Sequence, residues 1–299
     1  MSNDLNEVLK RGALNKWGLF WLVTGPISAA MIVAMMATDL SSGPGVSAMI
    51  QLSVRCAVPW LYIAFAASSL QVLFPGHFSR WLLRNRKYFG LCFAAAMAWQ
   101  GLFILWMVLV HTDYYVNEVY VLRDAIEGVV GYAFLLAMTA TSFPKGRRLL
   151  TPKQWRILHL GGIYFLWAYA FSVYWWALFY YSNPVPLDYA FYCAGLAAWV
   201  LRAFAFFRKR AKAAARASLG TAAHPLARAV GVALIGIGLV AAGIGSALQG
   251  VADQYLYGYT LTEWPELYLP YWPFEPFLAL AVIGIGVYLR RSQAQATGS

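Results

Sequence analysis

The sequence predicts an all-α polytopic membrane protein of eight transmembrane helices, and three observations predict it. Of the 299 residues, 61% are hydrophobic and only 12% charged, about half the charged fraction of an ordinary soluble domain. Apolar runs recur along the whole chain, each close to the ~20 residues that carry a helix across a hydrocarbon core. None alternates with the period of two that a transmembrane β-strand needs, which sets a β-barrel aside.

The predicted spans are Trp17–Thr38, Val46–Phe74, Tyr88–Val110, Asp124–Phe143, Ile157–Tyr181, Leu187–Phe207, Leu226–Leu248 and Trp272–Leu289. The first follows a leader that contains Asp4 and Glu7 and exceeds the h-region of a signal peptide, so it reads as a retained helix. Basic loops divide the second from the third and the fourth from the fifth. The fourth begins among charges, and the eighth carries Glu275 and two prolines near its outer end. A basic, alanine-rich connector separates span six from seven.

Orientation follows from the bases, because Lys and Arg in short loops stay on the cytoplasmic side during insertion. Lys10, Arg11 and Lys16 precede span one. Arg80, Arg84, Arg86 and Lys87 lie between two and three, and Lys145, Arg147, Arg148, Lys153 and Arg156 between four and five. A further cluster runs from Arg202 to Arg228, and Arg290 and Arg291 follow span eight. These are alternate loops, and only Arg55 and Arg123 fall elsewhere. All acids except Asp4 and Glu7 lie in outer loops or near outer helix ends. Both termini are therefore expected in the cytoplasm, in what reads as a bacterial inner membrane.

The net charge of +11 is spread as short clusters at helix ends, not along one soluble face, so membrane lipids with anionic headgroups are the expected partners and nucleic acid is not. Cys56, Cys92 and Cys193 all fall inside spans with no CxxC or Cys/His spacing, so no disulfide framework or zinc site is indicated. Residues 208–224 (RKRAKAAARASLGTAAH) favour a helix continuing into the cytoplasm, ended by Gly220 and Pro225. Span seven places Gly238, Ala242, Ser246 and Gly250 on one face, and Gly284 and Gly286 repeat its Gly-Ile-Gly in span eight. Small residues let backbones approach, so seven and eight are expected to form a hairpin. The Tyr-, Trp- and Pro-rich loop 255–274 between them reads as interfacial.

Polar groups inside spans must find partners or cost several kcal/mol, as an order of magnitude. Four qualify: Arg55 in span two, Gln100 in span three, and His159 and Ser172 in span five. Ser and Gln commonly serve as interhelical hydrogen-bond glue. A plain reading makes His159 an interfacial histidine bonded to a carbonyl or lipid phosphate, and Arg55 a snorkelling side chain.

The stretch Arg86 to Leu102 (RKYFGLCFAAAMAWQGL), then Thr141-Ser142, a basic loop and Trp155-Arg156-Ile157-Leu158-His159, resembles the ferric reductase-like transmembrane domain. The likeness is nearest to the haem-containing membrane subunit of bacterial methionine sulfoxide reductase systems. Ser53-Val54-Arg55-Cys56-Ala57 is similar to that family's Thr-Gly-Arg-x-Ala. The resemblance covers roughly residues 45 to 210. It implies b-type haem held between helices by spaced histidines, and electrons crossing the bilayer to an outer acceptor. Carried over position by position, it makes His159 a haem-iron ligand and assigns a family role to Arg55. The other two ligand positions fall on Gln100, ten residues after Gly90, and Ser172, thirteen after His159. Thirteen residues correspond to ~20 Å along a helix, which is why two positions on one helix serve cofactors at different depths. A reduced scheme would bring His159 and His77 to one haem at the inner side, while His111 lies at the outer end of span three and His224 beyond the connector.

The chain accordingly divides into residues 1–44 (tail and first helix), 45–207 (the ferric reductase-like part), 208–224 (connector) and 225–299 (hairpin and tail). It has no P-loop, GxGxxG, HExxH or Ser-His-Asp set, and its inner loops are too short for a flavin or nicotinamide domain. Any reductase activity would require a separate redox or membrane partner subunit. Two functions stay open: an electron-transfer component with reduced or lost haem, and a non-catalytic scaffold or partner subunit. A transporter would need several inward-facing charges or broken helices, and apart from Arg55 those charges are lacking.

Overall fold

The computed structural model describes residues 7–179, 183–216, 225–256 and 277–290. Among them every regular element is helical. The principal helices are α1 (Lys16–Ala37), α2 (Gly43–Leu73), α3 (His77–Val110), α4 (Leu122–Ala140), α5 (Pro152–Phe179), α6 (Pro186–Arg216), α7 (Pro225–Leu256) and α8 (Phe277–Leu289). Each predicted span coincides with one of them. Six contain a stretch long and apolar enough to cross a membrane: α1, α2, α3, α5, α6 and α7. α4 carries Arg123, Asp124 and Glu127 in its first two turns, α8 is described for 13 residues, and neither belongs to that set.

The helices fall into two compact units. One holds the chain up to Ala170 apart from Val72–Phe74, and the other holds Val72–Phe74 and the chain from Phe171 on.

The first unit is built on α1, α2 and α3. Leu19, Val23, Ala64, Ala67, Leu82, Phe89 and Cys92 form one buried cluster, and Met31, Val46, Met49, Phe103 and Met107 another. Pro26 and Pro59 sit inside α1 and α2, a position membrane helices tolerate because neighbours re-satisfy the freed backbone groups. α3 starts at His77, well before the predicted Tyr88, and its 34 residues reach ~51 Å, beyond a ~30 Å hydrocarbon core. The early start has a physical cause in the residues that precede α1. Asn85, wholly buried, accepts the Lys16 N–H at 2.9 Å and donates to Asn15 Oδ1 at 3.1 Å. Arg84 Nη2 donates to the same Asn15 oxygen at 2.8 Å, and Trp81 Nε1 to Leu14 O at 2.8 Å. Lys16 takes a left-handed φ of 54°, uncommon for a residue with a Cβ, and its bond to Asn85 holds that turn. Residues that look like a basic loop are thus a helical platform for the N-terminal segment.

At the other end, Asp39 closes the turn between α1 and α2. Its Oδ1 accepts the Ser41 N–H at 3.0 Å and the Ser41 hydroxyl, and His111 Nε2 lies 3.1 Å from Leu40 O. Donation from the Ser41 hydroxyl and N–H holds the exposed Asp39 carboxyl below its usual range.

In the second unit α8 lies against α7 and α6. Gly231 and Gly286 face each other so closely that a Cβ on either would lie 2.6 Å from the other's carbonyl oxygen. A Cβ at Gly238 would lie 2.5 Å from Ile283 Cγ1. The expected hairpin therefore closes on itself through Gly231 and Gly238, seven residues apart, while Ala242 further along α7 is fully buried. Ser246 and Gly250 have side-chain surroundings outside the described residues. Gly284 faces α6, where a Cβ would touch the Trp199 ring at 3.7 Å, and Ile235, Ile283 and Val287 pack with Trp199, Val200 and Phe204. The Tyr192 hydroxyl bonds to Ala242 O, and Arg208 Nη1 caps the end of α2 through Val72 O at 3.0 Å and Leu73 O at 2.7 Å. α6 runs on to Arg216 and α7 begins at Pro225, a favoured first helical position. The connector between them lies outside the described residues, as does loop 255–274 beyond its first two residues.

Three outcomes are expected. Gly286→Val forces α7 and α8 apart at a cost of about 1–3 kcal/mol and lowers Tm in detergent. Gly236→Ala, whose Cβ meets nothing within 4 Å, raises it slightly through helix propensity. For Asp39, a depressed folded pKa means its contribution is complete above the unfolded value of about 3.9 and fades as pH falls below it. The Tm difference between wild type and Asp39→Asn should therefore be constant from pH 5 to 8 and shrink toward pH 3.

Candidate functional site

The four polar positions read from the sequence sit on three helices. Arg55 is half-buried in α2, about 18 Å along the axis from Gly43, two residues past Ser53, whose hydroxyl bonds back to Ile50 O at 2.6 Å. Gln100 is half-buried in α3, and His159 half-buried in α5. Ser172, also on α5, is buried and belongs to the second unit.

The partners of Gln100 and His159 come from α4. The Tyr132 hydroxyl donates to Gln100 Oε1 at 2.9 Å and lies 3.1 Å from Met97 O. Gly101 makes room for this, since a Cβ there would already touch the Tyr132 ring at 3.5 Å. Nine residues on, at the far end of the same helix, Thr141 Oγ1 lies 2.9 Å from His159 Nε2 and donates to Ala137 O at 2.7 Å. Trp155, one turn before His159, stacks on the imidazole at 4.2 Å and donates from Nε1 to Thr141 O at 3.2 Å. Arg147 lies over the Trp155 ring at 4.9 Å and donates to Leu150 O at 3.1 Å. The order Arg147, Trp155, His159, Thr141 is thus a continuous stack and hydrogen-bond chain around the start of α5. Close packing below it seats α5 on α4: Gly162 faces the Met138 thioether, and Gly131 faces Phe165.

This geometry bears on haem. A hydroxyl has one proton. If Thr141 spends it on Ala137, His159 Nε2 carries the proton of the pair; if Thr141 donates to the ring, the Nε2 lone pair is accepting. In either tautomer Nε2 is engaged by Thr141, and when Nε2 carries the proton the ring's open lone pair lies on Nδ1. The Gln100 amide oxygen is likewise engaged. His77 is exposed, 3.4 Å from Arg80 Nη2 through Nδ1, His111 is bonded at the opposite end of α3, and His224 lies outside the described residues. As arranged, Gln100 Oε1 and His159 Nε2 both face partners on the α4 side rather than an open space between helices. Nor do the described residues contain a group of three or more His, Cys, Asp or Glu suited to a metal ion.

Sequence reasoning singled out His159 and Gln100 and quoted Thr141 only as a motif residue, but it passed over Tyr132 and Asn85. A polar residue inside an apolar span was the available signal for Tyr132 and Thr141, whereas Asn85 lies in what reads as a basic loop. Trp155 was legible, since i and i+4 share a helix face.

Compared with protein-family models, curated proteins and solved structures, the chain gives no match. The resemblance described above therefore stands on its motif residues alone.

If α4 is fastened through these hydroxyls, Thr141→Val and Tyr132→Phe should each destabilise by about 0.5–2 kcal/mol, read by unfolding in mixed detergent. A double-mutant cycle pairing Thr141→Val with His159→Leu should show coupling of similar size. Strict additivity would mean that the 2.9 Å contact contributes nothing.

Proposed function

We propose that this chain is a multi-pass protein of the bacterial inner membrane, with eight spans and both termini in the cytoplasm, that serves as a non-catalytic scaffold or partner subunit. On this reading residues 45–207 keep the framework of a ferric reductase-like transmembrane domain, akin to the membrane subunit of methionine sulfoxide reductase systems, without its haem chemistry. The observation that carries it is the engagement of two family ligand positions by α4: Gln100 with Tyr132, and His159 Nε2 with Thr141. What would be cofactor ligands act as interhelical fastenings, a use for which Gln, His, Thr and Tyr side chains suffice. The third position, Ser172, has no lone pair suited to haem iron.

The second reading, an electron-transfer component holding one b-type haem, rests on His159 and draws on Arg55 for an anionic group. It needs an open lone pair on the His159 ring aimed at the iron, from Nδ1 if Nε2 stays on Thr141, and it needs a separate donor subunit.

Absorption spectra separate the two. Protein expressed with haem supply and purified in detergent should be well folded and colourless, with no Soret band before or after dithionite. A Soret band that disappears in His159→Ala would overturn the scaffold reading in favour of electron transfer.

A further inference from the structure

We propose that the face formed by the start of α3 and the α4–α5 connector is a binding site for the phosphate of an anionic phospholipid, clamped between Lys87 and Arg147. The inference rests on the orientation proposed above, which puts this face at the cytoplasmic leaflet.

Charge is the first reason. The chain has no Asp or Glu between Asp39 and Asp113 or between Glu127 and Asp188, while the segments 77–87 and 144–156 carry nine Lys and Arg residues. The bases that matter are tied to neutral groups. Arg84 donates to Asn15 Oδ1 and Leu9 O, and Arg147 to Leu150 O. Lys87 is exposed and lies over two rings, 5.2 Å from the Phe143 centroid and 5.8 Å from that of Tyr88. Carbonyl oxygens and ring faces orient a cation without cancelling its charge. Among the described residues neither Lys87 nor Arg147 is paired with a carboxylate, so both cations are open to an external anion.

Geometry is the second. Phe143 stacks with Trp17 at 6.3 Å, Trp17 meets Tyr88 edge-on at 5.6 Å, and the Arg147 N–H bonds to Phe143 O at 2.8 Å. One short connector therefore links both cations and fixes them against aromatic rings.

The partner's chemistry is read from what accompanies the charge. Leu149, between Arg148 and Leu150 in the same connector, is 82% exposed. Trp17 is also exposed, and its indole stands beside Lys87's aromatic seat. An apolar side chain projecting from a basic turn suits an amphiphile, whose acyl chain meets Leu149 while its phosphate meets Lys87 and Arg147. A nucleic acid or a free anion offers nothing to Leu149. Basic pockets at the cytoplasmic ends of membrane helices commonly take such headgroups.

The test uses delipidated full-length protein, titrated with phosphatidylglycerol and followed by native mass spectrometry. Phosphatidylglycerol should bind in preference to phosphatidylcholine. Lys87→Gln and Arg147→Gln should each weaken it about fivefold, with Lys87→Arg restoring binding and Lys212→Gln, an exposed base on the α6 extension, changing nothing. Three results would overturn the proposal: equal binding of phosphatidylcholine, wild-type affinity in both Gln variants, or glycerol 3-phosphate displacing the lipid as well as phosphatidylglycerol itself. Because lipid binding is read independently of any Soret band, failure here leaves the scaffold reading to its own experiment.

Discussion

Hydrocarbon supplies no hydrogen bonds, and every polar group this chain places inside it has to be answered by the chain itself. For the backbone the answer is helix, which is why each apolar run becomes one and why α1 and α2 continue through Pro26 and Pro59. For side chains the answer is a neighbouring helix. Tyr132 answers Gln100, Thr141 answers His159, and the Ala242 carbonyl answers Tyr192. Where no polar group is present, the absence of a hydrophobic drive between helices leaves van der Waals contact to hold them, and the glycines of α7 and α8 supply it by bringing their backbones together.

α4 shows how these demands combine. It is short, and its first turns carry Arg123, Asp124 and Glu127, so apolar area alone gives it a weaker hold on the hydrocarbon than its neighbours have. Its attachment is instead specific, made by one hydroxyl near its middle to α3 and by another at its end to α5, with Gly101, Gly131 and Gly162 allowing the backbones close enough for both. Specific polar contacts worth about 1 kcal/mol each are weak individually. Two of them nine residues apart nevertheless fix both the rotation and the depth of a helix, which apolar packing alone leaves free to slide.

The spans were legible because the run of ~20 apolar residues is a direct image of membrane thickness. The basic loops were legible as charge but not as structure. His77 to Lys87 reads as a loop because its bases dominate its composition, whereas its structure is decided by Trp81, Leu82 and Asn85 on one side, which bury against the N-terminal segment. In the hairpin, the small face through Gly238 and Ala242 was visible, but Gly231 was not, because the contact that uses it depends on where Gly286 arrives from another helix. The site divides in the same way. His159 and Gln100 stand out as polar residues in apolar surroundings, and the i, i+4 spacing gives Trp155. Tyr132 is an ordinary residue in a helix and Thr141 a motif residue with no visible role, and only the tertiary approach of α4 makes them partners.

That asymmetry also governs how motif spacing translates into chemistry. Spacing along a helix sets the depth at which a side chain sits, and thirteen residues between His159 and Ser172 still mark two depths ~20 Å apart. Depth alone does not make a ligand. Iron needs a lone pair left open and aimed at it, while a fastening needs that lone pair consumed by a neighbour, and these demands exclude each other at a single nitrogen. At His159 the Thr141 hydroxyl reaches Nε2 while Trp155 covers the ring and donates to Thr141 O, so two side chains cooperate to hold the imidazole in the second role. Releasing it for the first would break the stack at the α4–α5 junction, the same junction on which Arg147 is seated. The seat of Arg147 and the engagement of His159 are thereby coupled through the Trp155 ring.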